Sequence, residues 1–402
     1  MSTGRQNKSL KIMGFFLAAV LTGSAALASA APRDQARRMH DRLVGTPPSE
    51  AVLTQMETLI AGGDPIGAAM LAMQNPDFYN TTLKNFAAVT TNVGGSVFVP
   101  LNDMTATIIG LIRDNRDFRE VLYADVVYTG GNSVPTPYSP FNNQHYQELE
   151  DNGVDLSTAL VARAQSTTHP DLANGGAAGV QTTRAAAEAY FSAGTNRRML
   201  YHIFDSFLCR KFEDIQDVTR TPDRVRQDVT RSPGGDSGIY LSSCIGCHAG
   251  MDALAGAYAY YHFDPNAGDP NNGDTGGLVY TPGNVQPKYL QNAGTFPSGF
   301  QTVDDSWINY WRFGTNSTLG WNWTSTVPSD RGSGAAALGR ELANSYAFAE
   351  CQAKRVFKTV CLREPSTYND EVQIQNMANS LRQSGYNMKQ TFAESAVYCM
   401  GQ

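Results

Sequence analysis

Two cysteines and a histidine form the pattern in this sequence that is most specific for chemistry. They lie in the segment Ser243-Cys244-Ile245-Gly246-Cys247-His248-Ala249. In a helix, the spacing of the cysteines puts both thiols on one turn, with the imidazole beside them. A redox dithiol, half of a zinc site and a covalent haem attachment site all use this kind of spacing.

The flanking sequence favours one of these three sites. A redox dithiol is expected after a strand in a β-α-β unit, and the preceding residues GIYLSSC offer no such context. A zinc site needs further ligands, and Cys351, Cys361 and Cys399 do not have the spacing of a second ligand pair. In a c-type haem site, the two thiols form thioethers and the adjacent histidine binds the iron. We therefore predict one covalent haem c, attached to Cys244 and Cys247, with His248 as its proximal ligand.

A second axial ligand is expected among a few other residues. His262 follows His248 by 14 positions in an aromatic segment. Met377 and Met388 lie in helical patterns, where methionine usually fills the core, but methionine is also a common partner of histidine in cytochromes c. His202 reads as a packed histidine, with ligation as the alternative. These positions leave the choice among His262, Met388 and Met377 open.

The first residues have the pattern of an export signal. Positive residues precede an apolar run from Ile12 to Ala28, and the small residues Ala28-Ser29-Ala30 supply a cleavage site; the positive residues are Arg5, Lys8 and Lys11. We expect a mature chain in the periplasm or outside the cell. No later run approaches 18 apolar residues, so no membrane span is expected in that mature chain.

Composition narrows the class of partner. The 402 residues are 42% hydrophobic, which suffices for a packed core, and the formal net charge is -6. The positive residues are not gathered into basic runs, so no nucleic-acid partner is expected. An acidic surface favours a redox partner protein with a basic docking face, whose identity the sequence does not give.

Periodicity predicts a mainly α fold. Helical patterns fill the first and last parts of the chain, and Gly-, Asn- and Pro-rich stretches separate them. The segment Asp264–Asp274 superficially resembles a calcium loop, but it lacks the EF-hand pattern and favours a turn-rich loop. The expected order is a signal peptide (1–30), a helical N-terminal domain (31–130), an irregular connector (131–181), a haem c-binding region (182–264), a packed Trp-rich loop region (265–334) and a C-terminal helical module (335–402).

Several blocks of the sequence resemble the planctomycete-type cytochrome c family. The haem-bearing region of that family is similar to YHIFDSFLCRKFEDI, TRTPDRVRQDV and CIGCHAGMDALAGAYAYYHFD, and other blocks are similar to RLVGTPPSEAVLTQM and LANSYAFAECQAKRVFKTVCLREP. The turn after the haem motif lacks the family's proline, and His262 replaces the usual residue before Phe263. The resemblance implies an exported monohaem protein with helical N- and C-terminal modules, and it sharpens the architecture more than the function.

Three functions are compatible with these features. The first is a monohaem cytochrome that transfers single electrons between periplasmic partners. The second is a haem enzyme, of the peroxidase or oxygenase type, with an open sixth iron position, since 402 residues exceed what one electron carrier needs. The third is a binding module in which haem is structural.

The cysteines outside the motif are even in number, which in an exported chain predicts two disulfides. Cys351 and Cys361 cannot pair if they share a helix, since ten residues span about 15 Å. Two pairings remain. If the three C-terminal helices run up, down and up, Cys361 pairs with Cys399 and Cys351 with Cys209. Four buried free thiols are the alternative.

Overall fold

The computed structural model describes residue 1 and residues 30–192, 196–225, 237–287, 289, 300–321 and 330–401. The predicted signal peptide lies almost wholly outside the described residues, as does Trp323 of the Trp-rich region. The described chain is mainly helical, as the sequence predicts.

Helices occupy most of the first half of the chain. In order, they are α1 (Pro32–Val44), α2 (Glu50–Ala61), α3 (Pro65–Ala72), α4 (Lys84–Ala88), α5 (Asp103–Arg113), α6 (Gln144–Asp151), α7 (Leu156–Ala159), α8 (Gln165–Thr168), α9 (Arg184–Tyr190) and α10 (Arg197–Leu208). A π-helical turn, Phe78–Leu83, leads directly into α4. The connector expected to be irregular therefore contains the short helices α6 to α8.

In the second half, two helices precede a run of short strands and four helices follow it. Its helices are α11 (Ser237–Ile239), α12 (Ile245–Ala255), α13 (Gly334–Ala343), α14 (Tyr346–Cys361), α15 (Tyr368–Gln383) and α16 (Met388–Cys399). The described residues also form three antiparallel strand pairs: β1 (Val127–Thr129) with β2 (Val161–Arg163), β3 (Tyr261–Asp264) with β4 (Gly277–Tyr280), and β5 (Ser306–Ile308) with β6 (Arg331–Ser333).

Capping residues set the starts of the N-terminal helices. The Asp64 carboxylate accepts a hydrogen bond from the Gly67 amide at the start of α3, at 2.8 Å. The Asn102 side chain accepts one from the Thr105 amide at the start of α5, at 2.9 Å. Each satisfies an amide that has no partner within its helix. In the sequence, Asp64-Pro65 and Asn102-Asp103 predict helix starts because a cap residue comes first, and α3 and α5 begin there.

One C-terminal helix prediction was wrong. The pattern from Leu338 to Leu362 predicts a single helix, but the chain forms α13 and α14 with a break between them. The Ser345 hydroxyl accepts a hydrogen bond from the Phe348 amide at 3.2 Å and so caps a new helix. The two further helices occur as predicted, as α15 and α16.

The Trp-rich region packs into the core where it is described. Trp307 and Trp311 are 1% and 0% exposed. The Trp321 indole donates to the backbone carbonyl of Trp311 at 2.7 Å. In the Asp264–Asp274 loop, the Asp274 carboxylate accepts from Ser139 and Asn142, and the loop contains a 3-10 turn. The prediction of a packed region is confirmed for these tryptophans.

Two cysteine pairs stand at disulfide distance, in the predicted pairing. The Cα atoms of Cys209 and Cys351 are 5.2 Å apart, and those of Cys361 and Cys399 are 5.5 Å apart. Helices α14, α15 and α16 pack on one another, and Cys361 and Cys399 end the first and third of them. The first disulfide ties α10 to α14, and the second fastens the last helix.

In the part of the chain that the structure describes, no helix has the length and apolarity needed to cross a bilayer.

The disulfides generate a prediction about stability. The double variant Cys361→Ser/Cys399→Ser should lose about 2–4 kcal/mol in the free energy of unfolding, because the unfolded chain is no longer closed into a loop. Urea unfolding of the variant and the wild type measures the difference. Non-reducing peptide mapping provides the check on connectivity: four thiols open to alkylation in the unfolded wild type without reductant contradict both disulfides.

Candidate functional site

The cysteine-histidine motif lies at the start of α12. A π-helical turn, Tyr240–Cys244, leads into this helix. Cys244, Cys247 and His248 are each partly exposed, and their spacing of three and four residues puts them on one face. The structure thus presents two thiols and an imidazole together at the surface.

Aromatic packing fixes α12 at Gly250. A Cβ atom added at Gly250 would lie 2.2 Å from the indole of Trp311, so the ring is packed directly against the helix backbone. Trp311 in turn contacts Phe204 and Phe212, with ring centroids 5.1 and 5.4 Å away. A side chain at Gly250 would therefore displace Trp311 or α12.

The segment after α10 passes close to the motif. The Asp217 amide donates to the Gly246 carbonyl at 2.8 Å. A Cβ atom at Gly246 would lie 3.2 Å from the Gln216 side chain and 3.3 Å from that of Val218. Glycine between the two cysteines therefore allows this segment to form one wall beside the motif.

A buried ion pair holds the motif histidine. Asp252, whose side chain is 0% exposed, accepts a hydrogen bond from Nδ1 of His248 over 3.1 Å. The Arg197 guanidinium donates to both carboxylate oxygens of Asp252, at 2.6 and 2.7 Å. The contact fixes the orientation of the imidazole.

Electrostatics keep this carboxylate ionised. Burial by itself raises the pKa of Asp252, but the Arg197 guanidinium and the hydrogen bond with His248 outweigh burial and hold that pKa below its usual value. The bidentate Arg197 contact is a strong form of ion pair because two parallel hydrogen bonds accompany the charge attraction.

The thiols remain unpaired, and one of them is held in its protonated form. Cys244 and Cys247 are the cysteines outside the two disulfides. The Cys247 thiol donates to the Phe212 carbonyl at 3.4 Å. Burial, followed by the nearby Glu213 carboxylate, raises the pKa of Cys247. A reactive dithiol needs the opposite shift, so this environment does not favour redox exchange.

Exposed apolar side chains surround the motif. Leu241 and Ile239, a few residues before Cys244, are 61% and 48% exposed, and Val218 beside Gly246 is 65% exposed. Each of these exposed apolar side chains is costly to leave in water.

The other predicted ligands lie on different elements. His262 is half-buried on β3, paired with Val279 of β4, beyond the C-terminal end of α12. Met377 and Met388 are 0% and 1% exposed in α15 and α16, which pack against each other and α14, whereas α12 packs on α10 and β5. The structure thus brings together Cys244, Cys247 and His248 and leaves the three others elsewhere.

His202 behaves as a packed histidine. Its ring is buried and stacks on Tyr190 with centroids 3.9 Å apart. Burial, together with the Arg355 charge, lowers its pKa to about 3, so it is neutral. Its Nδ1 is within 3.1 Å of the Ser206 hydroxyl.

No family model, curated protein or solved structure matches this chain. Among the residues with described positions, no group of three or more His, Cys, Asp or Glu side chains forms a metal-binding cluster. The function is therefore inferred from the residues and geometry of the motif alone.

Sequence reasoning assigned no role to Asp252 or Arg197. Asp252 could have been found from the sequence, since an aspartate four residues after a histidine lies on the same face of a helix. No local pattern indicated Arg197, because its contact with Asp252 joins positions 55 residues apart. Trp311 likewise reaches Gly250 only through the tertiary fold.

The ion pair yields a prediction about stability. Arg197→Met should lower the free energy of unfolding by about 3–5 kcal/mol, because it leaves the buried Asp252 carboxylate without its cation. The exposed neighbour Arg198 provides a matched control. Arg198→Met should change the free energy of unfolding by less than about 0.5 kcal/mol.

Urea unfolding of both variants measures these effects. The double variant Arg197→Met/Asp252→Leu, which removes both charges, should recover most of the loss. If the Arg197→Met and Arg198→Met variants are equally stable, the Arg197–Asp252 ion pair does not stabilise the fold.

Proposed function

We propose that this chain is an exported monohaem c-type cytochrome of the planctomycete-type family, which transfers single electrons between periplasmic partner proteins. The observation that carries the proposal is the joint presentation of Cys244, Cys247 and His248 on one partly exposed helical face, with Nδ1 of His248 held by Asp252. In this arrangement the two thiols could form thioethers and the imidazole could bind iron.

Three further observations support haem c at this motif. Both motif thiols are free, although the other four cysteines pair. The exposed apolar side chains of Val218, Ile239 and Leu241 lie beside the motif, where a porphyrin face would cover them. The His248–Asp252 contact is the kind of outer hydrogen bond that accompanies metal-binding histidines.

The residues around the motif have separate tasks in this proposal. When bound, the haem supplies an iron that cycles between ferric and ferrous forms. Asp252 and Arg197 orient His248. Trp311 holds α12 in place, and the segment from Phe212 to Val218 packs against α12 at Gly246.

A haem enzyme of the peroxidase or oxygenase type remains the second candidate. The Asp252 carboxylate favours the enzyme, because a carboxylate that accepts a hydrogen bond from Nδ1 makes an iron-binding imidazole a stronger electron donor. Arg197 counters this effect, since it binds both oxygens of the same carboxylate. The coordination of the sixth position distinguishes the two functions.

The attachment chemistry can be tested on the purified, haem-loaded protein. Cys244→Ala/Cys247→Ala should carry no haem after denaturing electrophoresis, because no thioether can form. Cys361→Ser/Cys399→Ser is the matched control and should retain haem staining. Complete loss of haem from the wild type on acid-acetone extraction rules out covalent attachment.

The sixth ligand can be tested by absorption spectroscopy. We expect a low-spin ferric iron that becomes high-spin in His262→Ala, because His262 is half-buried, whereas both methionines lie inside the core. Met377→Ala and Met388→Ala should instead lower stability by about 2–5 kcal/mol and leave the spectrum unchanged. A high-spin wild-type iron that binds carbon monoxide when reduced supports the enzyme.

A further inference from the structure

A cleft separate from the motif lies between the N-terminal helices, α10 and α14. Its volume is about 900 Å³, and its lining comes from α1, the Phe78–Leu83 turn, α4, α10 and α14. Neither motif cysteine nor His248 is among the lining residues. Clefts of this size between packed units are typical places for small-molecule ligands.

A cation without a counter-ion lies in this cleft. The Arg355 guanidinium donates to the Phe86 carbonyl at 2.8 Å and to the Gln352 side chain at 3.1 Å. It also lies over the Phe86 ring, 4.3 Å from the centroid. Within the described chain, no carboxylate approaches Arg355 within 4.0 Å, and its remaining N–H donors bond to no other residue.

Burial without a compensating anion is unfavourable for this group. Desolvation lowers the pKa of Arg355 to about 10. The nearby imidazole of His202 is neutral and cannot offset the charge. Arg355 is half-buried but strongly desolvated, and an anion that enters from solvent stabilises such a cation.

The carboxylates of the cleft are more exposed to solvent than its inner cations. The carboxylates that line the cleft are all on exposed residues: Asp41, Asp205, Asp214 and Glu364. Arg42 and Lys354 are half-buried like Arg355, and neither forms an ion pair with a described carboxylate. Exposed carboxylates are screened by water and salt, so the inner part of the cleft is positive.

Apolar side chains line much of the remaining surface. Phe86 is 4% exposed at the wall, Val89 is 36% exposed, and Val97 is half-buried. A simple inorganic anion would leave these groups in contact with water. A ligand with an apolar body would cover them and add hydrophobic stabilisation to the charge attraction.

We propose that this cleft binds an organic monocarboxylate with an apolar body, whose carboxylate contacts Arg355 and whose hydrocarbon part lies against Phe86, Val89 and Val97. Arg355 offers the planar donors that match a carboxylate. The proposal does not depend on haem at the motif, and binding here is a property separate from electron transfer.

Isothermal titration calorimetry on the purified full-length protein tests the proposal, with octanoate as the probe. Octanoate should bind with one-to-one stoichiometry. Octan-1-ol, which has the same chain without the charge, should bind at least tenfold more weakly, and so should inorganic phosphate, which lacks the apolar body. Absence of octanoate binding, or equal binding of phosphate, overturns the proposal.

Two exposed valines provide matched variants that spare the core. Val89→Asp puts a carboxylate on the cleft wall and should weaken octanoate binding at least tenfold through like-charge repulsion. Val93→Asp is the control, since Val93 is 60% exposed and does not line the cleft; its affinity should equal that of the wild type. Equal octanoate affinity in the two variants overturns the assignment to this cleft.

A third variant tests the proposed carboxylate contact. Arg355→Gln should lower octanoate affinity at least tenfold. Arg340→Gln is the control, because Arg340 lies on α13 over the Tyr123 ring, and its octanoate affinity should equal that of the wild type. If Arg355→Gln does not fold, the valine pair decides. Wild-type affinity in a folded Arg355→Gln protein overturns the proposed contact.

Discussion

The arrangement of the motif depends on one buried ion pair. Asp252 is fully buried and has two cationic or donor partners, Arg197 and His248. A buried carboxylate is tolerated only with such partners, so the pair ties the start of α10 to the middle of α12. The orientation of the His248 ring follows from this contact.

Packing on the other face of α12 makes that orientation rigid. Gly250 admits the Trp311 ring against the helix backbone, and Gly246 admits the chain from Gln216 to Val218. The two glycines thus let Trp311 and this segment pack against the same turn and a half of helix. In the proposed cytochrome, these contacts hold the thiols and the imidazole in place before any cofactor is attached.

Local sequence signals predicted much of the fold and part of the site. Helix starts at Asp64 and Asn102 were predictable because a cap acts on amides two or three residues away. The break at Ser345 carries the same type of signal, but the long apolar pattern around it hid the cap. The pairing of Cys361 with Cys399 followed from helix direction. The Arg197–Asp252 pair and the Trp311 contact were not predictable, because they join distant segments that only the tertiary fold brings together.

The central claim is that Cys244 and Cys247 carry one haem through thioethers. Intact mass spectrometry of the protein purified from a periplasmic fraction, under denaturing conditions, tests it most directly. We expect a mass that exceeds that of the chain by one haem, and fragmentation should locate the excess on the peptide that contains Cys244 and Cys247. A mass equal to the chain alone, with these two cysteines free or joined as a disulfide, would contradict it.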